Sequence, residues 1–199
     1  MNPEDIGKAY DTITQLWQSD DFNRQNGIEQ HRRAIAFTDA RGNALDVGCG
    51  CNGRIIDLLL EYGFDPEGID VSAQMIALAQ QRHPALRFYH NDICEWVAPR
   101  KYDLITAWDS IWHVPLKQQA RLLSTLASCL NSKGILIFSA GAVDQAGEHT
   151  DDYMGPEVYY ASLGVAGFIK VITDSGCQLK HFEYDQYPEL HSYFIAQKP

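Results

Sequence analysis

The stretch Leu45-Asp46-Val47-Gly48-Cys49-Gly50-Cys51-Asn52-Gly53 constrains this chain more than any other. An apolar strand ends in an acid, and three glycines follow before helical spacing begins at Ile55. Glycine serves where backbone must turn left-handed or approach a ligand closely, so the spacing predicts a strand, a tight turn and a helix around a bound molecule. Read by its glycines alone, the turn fits a dinucleotide fingerprint, with Asp70 a plausible distance downstream. Asp46 argues otherwise. It stands two residues before the first glycine, where a pyrophosphate would be repelled by the carboxylate. A cationic ligand is favoured there instead.

Along the chain, apolar strands alternate with amphipathic helices, the pattern of a parallel α/β sheet. Residues 44–48 read as the first strand. Ile55, Leu58, Leu59 and Tyr62 recur at helical spacing, and Gly63 ends that helix. A second strand runs to Asp70, Ser72 caps the next helix and Pro84 stops it. Leu86–His90, Leu104–Trp108 and Ile135–Ser139 read as further strands. Leu116, Ala120, Leu123, Ala127 and Leu130 form a helical stripe between the last two. A final helix is expected within 157–175, ending at Gly176. Gln178–Asp185 and Leu190–Ala196 then read as an antiparallel hairpin around a short connection containing Pro188. Ahead of the first strand, Ile13, Leu16 and Trp17, then Ile28, Ile35 and Phe37, predict two helices packed over the sheet's edge. The expected fold is a doubly wound, mostly parallel seven-stranded sheet with an antiparallel C-terminal hairpin. It makes one domain over 1–199, with residues 1–40 as a helical cap and 42–199 as the core.

Asp46-x-Gly48-x-Gly50-x-x-Gly53 resembles the first motif of class I S-adenosylmethionine-dependent methyltransferases. The resemblance continues through Gly68-Ile69-Asp70-Val71-Ser72, Asn91-Asp92-Ile93, Tyr102-Asp103-Leu104-Ile105 and Leu130 to Ile137, spanning residues 42–140 in family order. Many members carry two adjacent glycines where this chain has Lys133-Gly134. A turn needs only one residue of positive φ, so the departure matters little. The resemblance implies S-adenosylmethionine as cofactor, and its positive sulfonium and ammonium agree with the acid at Asp46.

It also implies roles for particular residues. Gly48 and Gly50 would cradle the methionine part, and Asp46 would lie near its ammonium, often through water; alternatively Asp46 caps the turn. Asp70, followed by Val71, would accept from both ribose hydroxyls, its alternative being an N-cap that Ser72 already supplies. Asp92 would accept from the adenine amino group and Ile93 would supply apolar contact and a backbone donor, unless Asp92 is only a turn residue. Trp108 to Pro115 follow strand four, where open α/β sheets bind ligands. The stretch is neither Asn-Pro-Pro-Tyr nor Asp-Pro-Pro-Tyr, which disfavours amino methylation of adenine or glutamine. Asp109 would face the methyl group. His113 is either a general base or a loop histidine bonded to backbone. Trp108 and Trp112 form an aromatic wall or part of the core. Tyr10-Asp11 resembles the family's N-terminal Tyr-Asp, whose phenol lies over the methyl, though a helical tyrosine also serves packing. Arg32 and Arg33 are candidates for the cofactor carboxylate, although the stronger reading sets at least one on a solvated helix face. Residues 147–160 read as a polar lid lined by Tyr153, Tyr159 and Tyr160, with Asp144 and Glu148 solvated. His149, Asp151 and Asp152 lack the third anchor a metal needs, so no metal is expected.

Composition bounds the remaining choices. A net charge of −10 argues against a nucleic-acid partner, since phosphate binding needs a basic face. No apolar run approaches a membrane span, and the N-terminus lacks the pattern of a signal peptide. Five scattered cysteines suit reduced thiols in the cytoplasm, and Cys49 and Cys51 read as small loop fillers. The expected function is methyl transfer from S-adenosylmethionine to a small molecule. Alternatives are a protein or RNA-modification methyltransferase and a catalytically silent cofactor-binding protein. A nicotinamide-dependent reductase is opposed by Asp46 and by the lack of a Tyr-x-x-x-Lys pair.

Overall fold

The computed structural model describes residues 1–199. The chain begins with helices α1 (Pro3–Asp11), α2 (Gln15–Gln18) and α3 (Ile28–Ile35), and then alternates β1 (Asn43–Val47), α4 (Arg54–Glu61), β2 (Asp65–Asp70), α5 (Ala73–Arg82), β3 (Arg87–His90) and β4 (Tyr102–Ala107). A single 3₁₀ turn (Ile111–His113) leads into α6 (Leu116–Ser128) and β5 (Leu130–Gly141). The last third holds β6 (Gly147–Asp151), β7 (Val158–Ser162), α7 (Gly164–Asp174), β8 (Gln178–Glu183) and β9 (His191–Gln197).

Seven strands form one sheet in the order β3-β2-β1-β4-β5-β9-β8, parallel from β3 to β5 and antiparallel at β9 and β8. The central strands are apolar on both faces because helices cover both. Leu45, Val47, Ile105, Leu136 and Phe138 meet α6 and α7, where Phe138, Phe168 and Phe194 pack with centroids 4.9 to 5.6 Å apart. Ala44 and Leu104 face Ile35 of α3 and Leu59 of α4 on the other side. The order turns back at β1, whose neighbours are β2 and β4. A crevice opens beyond the carboxyl ends of such strands, and the glycine turn after β1 and Asp109 after β4 both reach it.

Helix α1 is built and docked by local chemistry. Asn2 and Asp5 form a reciprocal capping box, with Pro3 at the first helical position. Gly7 sits so close to β2 that a Cβ there would come within 2.4 Å of the Val71 carbonyl oxygen. Asp11 then accepts from Ser72 Oγ at 2.6 Å and from Gln74 N at 3.0 Å, tying α1 to the start of α5. These contacts lay α1 across the strand ends and carry Tyr10 to the crevice.

Several expectations change. The cap contains three helices, and they cover a face and the strand ends rather than the sheet's edge. Residues 147–160 are largely β6 and β7, an antiparallel ribbon of its own. The helix expected within 157–175 is there as α7, with strand over 158–162 ahead of it. Leu130 starts β5 instead of ending the α6 stripe, which buries Gln119 with Leu122, Leu123, Leu126 and Ala127. At Lys133-Gly134 the positive φ of 63° falls on the lysine. The β8–β9 connection runs over residues 184–190.

Candidate functional site

A cavity of about 410 Å³ lies over the ends of β1, β2 and β4. Helices α1 and α2 roof it, and Met154 and Tyr160 of the β6–β7 ribbon close one side. One end holds the glycine turn. Gly48 has φ 70°, and a Cβ on it would meet Ser110 Cβ at 2.3 Å. Gly50 has φ 56°, with nothing within 4 Å of where its Cβ would stand, so its backbone faces open space. Asp70 Oδ2 accepts from Gly50 N and Oδ1 from Ser72 N, both at 2.9 Å. Burial raises the Asp70 carboxyl above its usual range, opposed by these backbone bonds. Each oxygen keeps a lone pair for a further donor.

Asp46 does not line the cavity, although Val47 beside it does. Its carboxyl is buried and unbonded, and burial pushes it to about 7 while Arg54 pulls it back. A cation or ordered water there would relieve that charge. Asp92 and Ile93 line the far end, and Asp92 Oδ1 accepts from Cys94 N at 2.8 Å. Asp92 is thus a turn residue and a cavity residue at once. Val71 lines the same end.

The loop after β4 carries the other end. Asp109 takes φ 53°, a left-handed conformation that aspartate tolerates. Its carboxylate accepts from Asn26 Nδ2 at 2.8 Å, from Ser139 Oγ at 3.1 Å and from His191 Nε2 at 3.1 Å, and Arg54 Nη2 stands 3.8 Å away. Burial alone would raise the Asp109 carboxyl; His191, Arg54 and Ser139 outweigh it and hold it below the usual range. His191 in turn is gripped by Asp185 at 2.5 Å. Burial opposes its charge, yet the two carboxylates raise it to about 9. Asn26 also accepts from Trp108 Nε1 and Gln186 Nε2, each at 3.3 Å.

Tyr10 and His113 meet at 2.7 Å, phenol oxygen to Nε2. Trp112 Nε1 donates to the same nitrogen at 3.0 Å, and His113 Nδ1 lies 2.8 Å from the Tyr159 carbonyl. Burial lowers His113 to about 4, so the ring is neutral, with the proton on Nδ1. Burial likewise raises Tyr10 well above a free phenol.

The cavity therefore gathers Tyr10, Gly48, Gly50, Asp70, Val71, Asp92, Ile93, Trp108, Asp109 and His113, with Asp46 just behind. Trp108 serves both alternatives, being 4% exposed in the core while its edge reaches the cavity. Other candidates stay apart from it. Arg32 pairs with Glu29 at 2.5 Å and Arg33 with Glu183 at 2.5 Å, outside the cavity. Tyr153 is 94% exposed and lines nothing. The hydroxyl of Tyr159 donates to Glu148 at 2.5 Å and accepts from Leu116 N at 3.0 Å, so Glu148 is exposed as expected but also bonded, and Tyr160 alone of the three tyrosines reaches the cavity. Arg54, Asn26, Gln186 and His191 were not anticipated. Arg54 had a signal, since it directly follows Gly53 of the motif. The others join Asp109 or one another through contacts more than eighty residues apart, Asn26 and His191 on Asp109 and Gln186 on Asn26.

Comparison with known proteins agrees with this geometry. A family described as methyltransferase domain matches residues 21–195. A dTDP-3-amino-3,6-dideoxy-alpha-D-glucopyranose N,N-dimethyltransferase from Streptomyces fradiae is 28% identical over 128 residues, covering 61% of this chain and 46% of its own length. A trans-aconitate 2-methyltransferase from Acidovorax sp. (strain JS42) is 37% identical over 94 residues, covering 46% and 35%. The chain thus spans less than half the length of these curated relatives. Among solved structures, magnesium protoporphyrin IX methyltransferase from Synechocystis PCC 6803 with bound SAM superposes with a TM-score of 0.76 at 18% identity, covering 100% of this chain and 98% of that one. With the family match running across nearly the whole chain and the fold shared, the chain belongs to the class I S-adenosylmethionine-dependent methyltransferase family.

Proposed function

We propose that this chain transfers a methyl group from S-adenosylmethionine to a small-molecule acceptor. The observation that carries the reading is the pairing of open backbone at Gly50 with the Asp70 carboxylate it bonds, at one end of a cavity that continues to Tyr10, His113 and Tyr160. When bound, the cofactor supplies an electrophilic methyl on a sulfonium. Asp70 would hold its ribose hydroxyls, Asp92 and Ile93 its adenine, and Gly48 and Gly50 its methionine backbone. Asp46 would lie near the ammonium through water. Arg54 replaces Arg32 and Arg33 as the group for the carboxylate, since it lines the cavity and its pairing with Asp109 is loose at 3.8 Å.

At the other end, most of the rate would come from holding nucleophile and methyl in line. Asp109 is saturated with donors and held ionised, so it frames the site rather than taking a proton. Tyr10 gives its proton toward His113 Nε2, which leaves phenol lone pairs free for an acceptor's hydrogen. The relatives named above act, by their names, on an amino sugar nucleotide, aconitate and a porphyrin, all small molecules. The same reading places the chain in the cytoplasm, away from nucleic acid. Calorimetric titration tests it: S-adenosylmethionine and its demethylated product, S-adenosylhomocysteine, should bind, and NAD should not. Tight NAD binding with no response to the demethylated product would overturn the proposal.

A further inference from the structure

The acceptor end of the cavity is an aromatic surface. Tyr10 and Trp17 stand with ring centroids 5.2 Å apart. Tyr10 meets His113 at 5.2 Å, and His113 meets Tyr160 at 4.9 Å and Trp112 at 6.2 Å. All of them line the same cavity.

The charges that act on these rings are negative. Asp70, Asp109 and Asp151 act on Tyr10, Asp109 and Asp151 on His113, and Asp151 on Tyr160. The nearby cations are committed elsewhere. Arg54 stands 3.8 Å from Asp109 and is the group proposed above for the cofactor's carboxylate, and His191 is held between Asp109 and Asp185. His113 adds no charge, because its Nδ1 proton is fixed on the Tyr159 carbonyl while Nε2 accepts from Tyr10 and Trp112. A carboxylate or phosphate acceptor would find no free cation here and would be desolvated unpaired. An ammonium would find ring faces and a negative field, both of which attract it.

We infer that the methyl acceptor is an amine, gathered as a cation by the aromatic box of Tyr10, Trp17, Trp112 and Tyr160. The assignment rests on the methyltransferase reading and narrows its substrate class. The bound ammonium gives one proton to water, and the nitrogen lone pair then forms the new N–C bond. The C–S bond breaks as it forms, and its electron pair leaves on the thioether sulfur. The product is a methylated ammonium, again a cation suited to the box.

The test uses the full chain with S-adenosylhomocysteine bound. That complex is formed first by calorimetry, so a failure of the methyltransferase reading appears there as no binding. Three probes of one shape and differing charge are then titrated: choline, its neutral isostere 3,3-dimethylbutan-1-ol, and the anion 3,3-dimethylbutanoate. Choline should bind roughly tenfold more tightly than the alcohol, and the anion most weakly. Tyr160→Leu should erase the preference for choline while leaving S-adenosylhomocysteine affinity intact, which also reports a folded variant. Tyr153→Leu, outside the cavity, should change neither. Equal binding of the three probes, a preference for the anion, or no binding by any of them overturns the assignment.

Discussion

At the scale of single residues, Asp70 serves two masters. It fixes the glycine turn through Gly50 N and Ser72 N, and it would hold the ribose. Asp70→Ala should therefore lower S-adenosylhomocysteine affinity at least about tenfold, from two lost charge-assisted bonds. It should also cost about 2 kcal/mol of stability, because two backbone donors lose their acceptor. Calorimetry and urea unfolding read the two effects separately, and unchanged affinity in a folded variant would leave Asp70 as a turn residue only. His113 makes a second residue-scale prediction. Its ring should stay neutral well below its ordinary value of 6.5, titrating near about 4. Nitrogen NMR should show the Nδ1-protonated form at neutral pH, and a midpoint near 6.5 would refute the burial argument. The motif residues were legible in the chain because each sits within a few positions of a strand end, where local spacing reports position. Asp185 and His191 were not, because nothing near either in sequence announces that both will grip a shared proton beside Asp109.

At the scale of elements, the parallel strands were legible because burial on both faces writes continuous apolar runs such as Ile135 to Phe138. The β6–β7 ribbon was not. Four of the five residues of β6 are exposed, so Gly147–Asp151 carries no alternation of apolar and polar side chains to mark it as strand. Apolar β7 falls inside the span 157–175 within which the last helix is expected, with no signal to set it apart. The glycine turn gives the element-scale prediction. Gly48→Ala places a methyl 2.3 Å from Ser110 Cβ at φ 70°. Left-handed strain and overpacking together should cost about 3 kcal/mol. Gly50→Ala carries the strain without the clash, at φ 56° with open space around it, and should cost only about 1 kcal/mol. Its methyl enters the cradle, so cofactor affinity should fall while the fold survives. Unfolding curves with S-adenosylhomocysteine titrations on both variants distinguish these outcomes; equal destabilisation would mean that Ser110 yields to the methyl.

At the scale of the whole molecule, the stability profile against pH follows from a few buried groups. His31 and His113 are both depressed by burial to about 4, below their ordinary 6.5. The unfolded chain binds their protons first, so their contribution is lost as pH falls from 6.5 toward 4. Asp46, raised by burial to about 7 from 3.8, works in the opposite sense and offsets part of that loss. His191 governs the other side. Its folded value of about 9 exceeds the ordinary 6.5, so its contribution is complete below 6.5 and is lost as pH rises through 9. This proton joins Asp185 of the β8–β9 connection, the first residue of β9 and the loop after β4, so its loss loosens the C-terminal hairpin from the site. Between about pH 7 and 8, below the titration of cysteine thiols, His191 should dominate the slope. Stability should fall there by roughly 1 kcal/mol per pH unit. Urea unfolding across that window checks it, and His191→Gln should remove most of the slope. A slope that persists in the variant would place the alkaline loss in some other group and release His191 from this role.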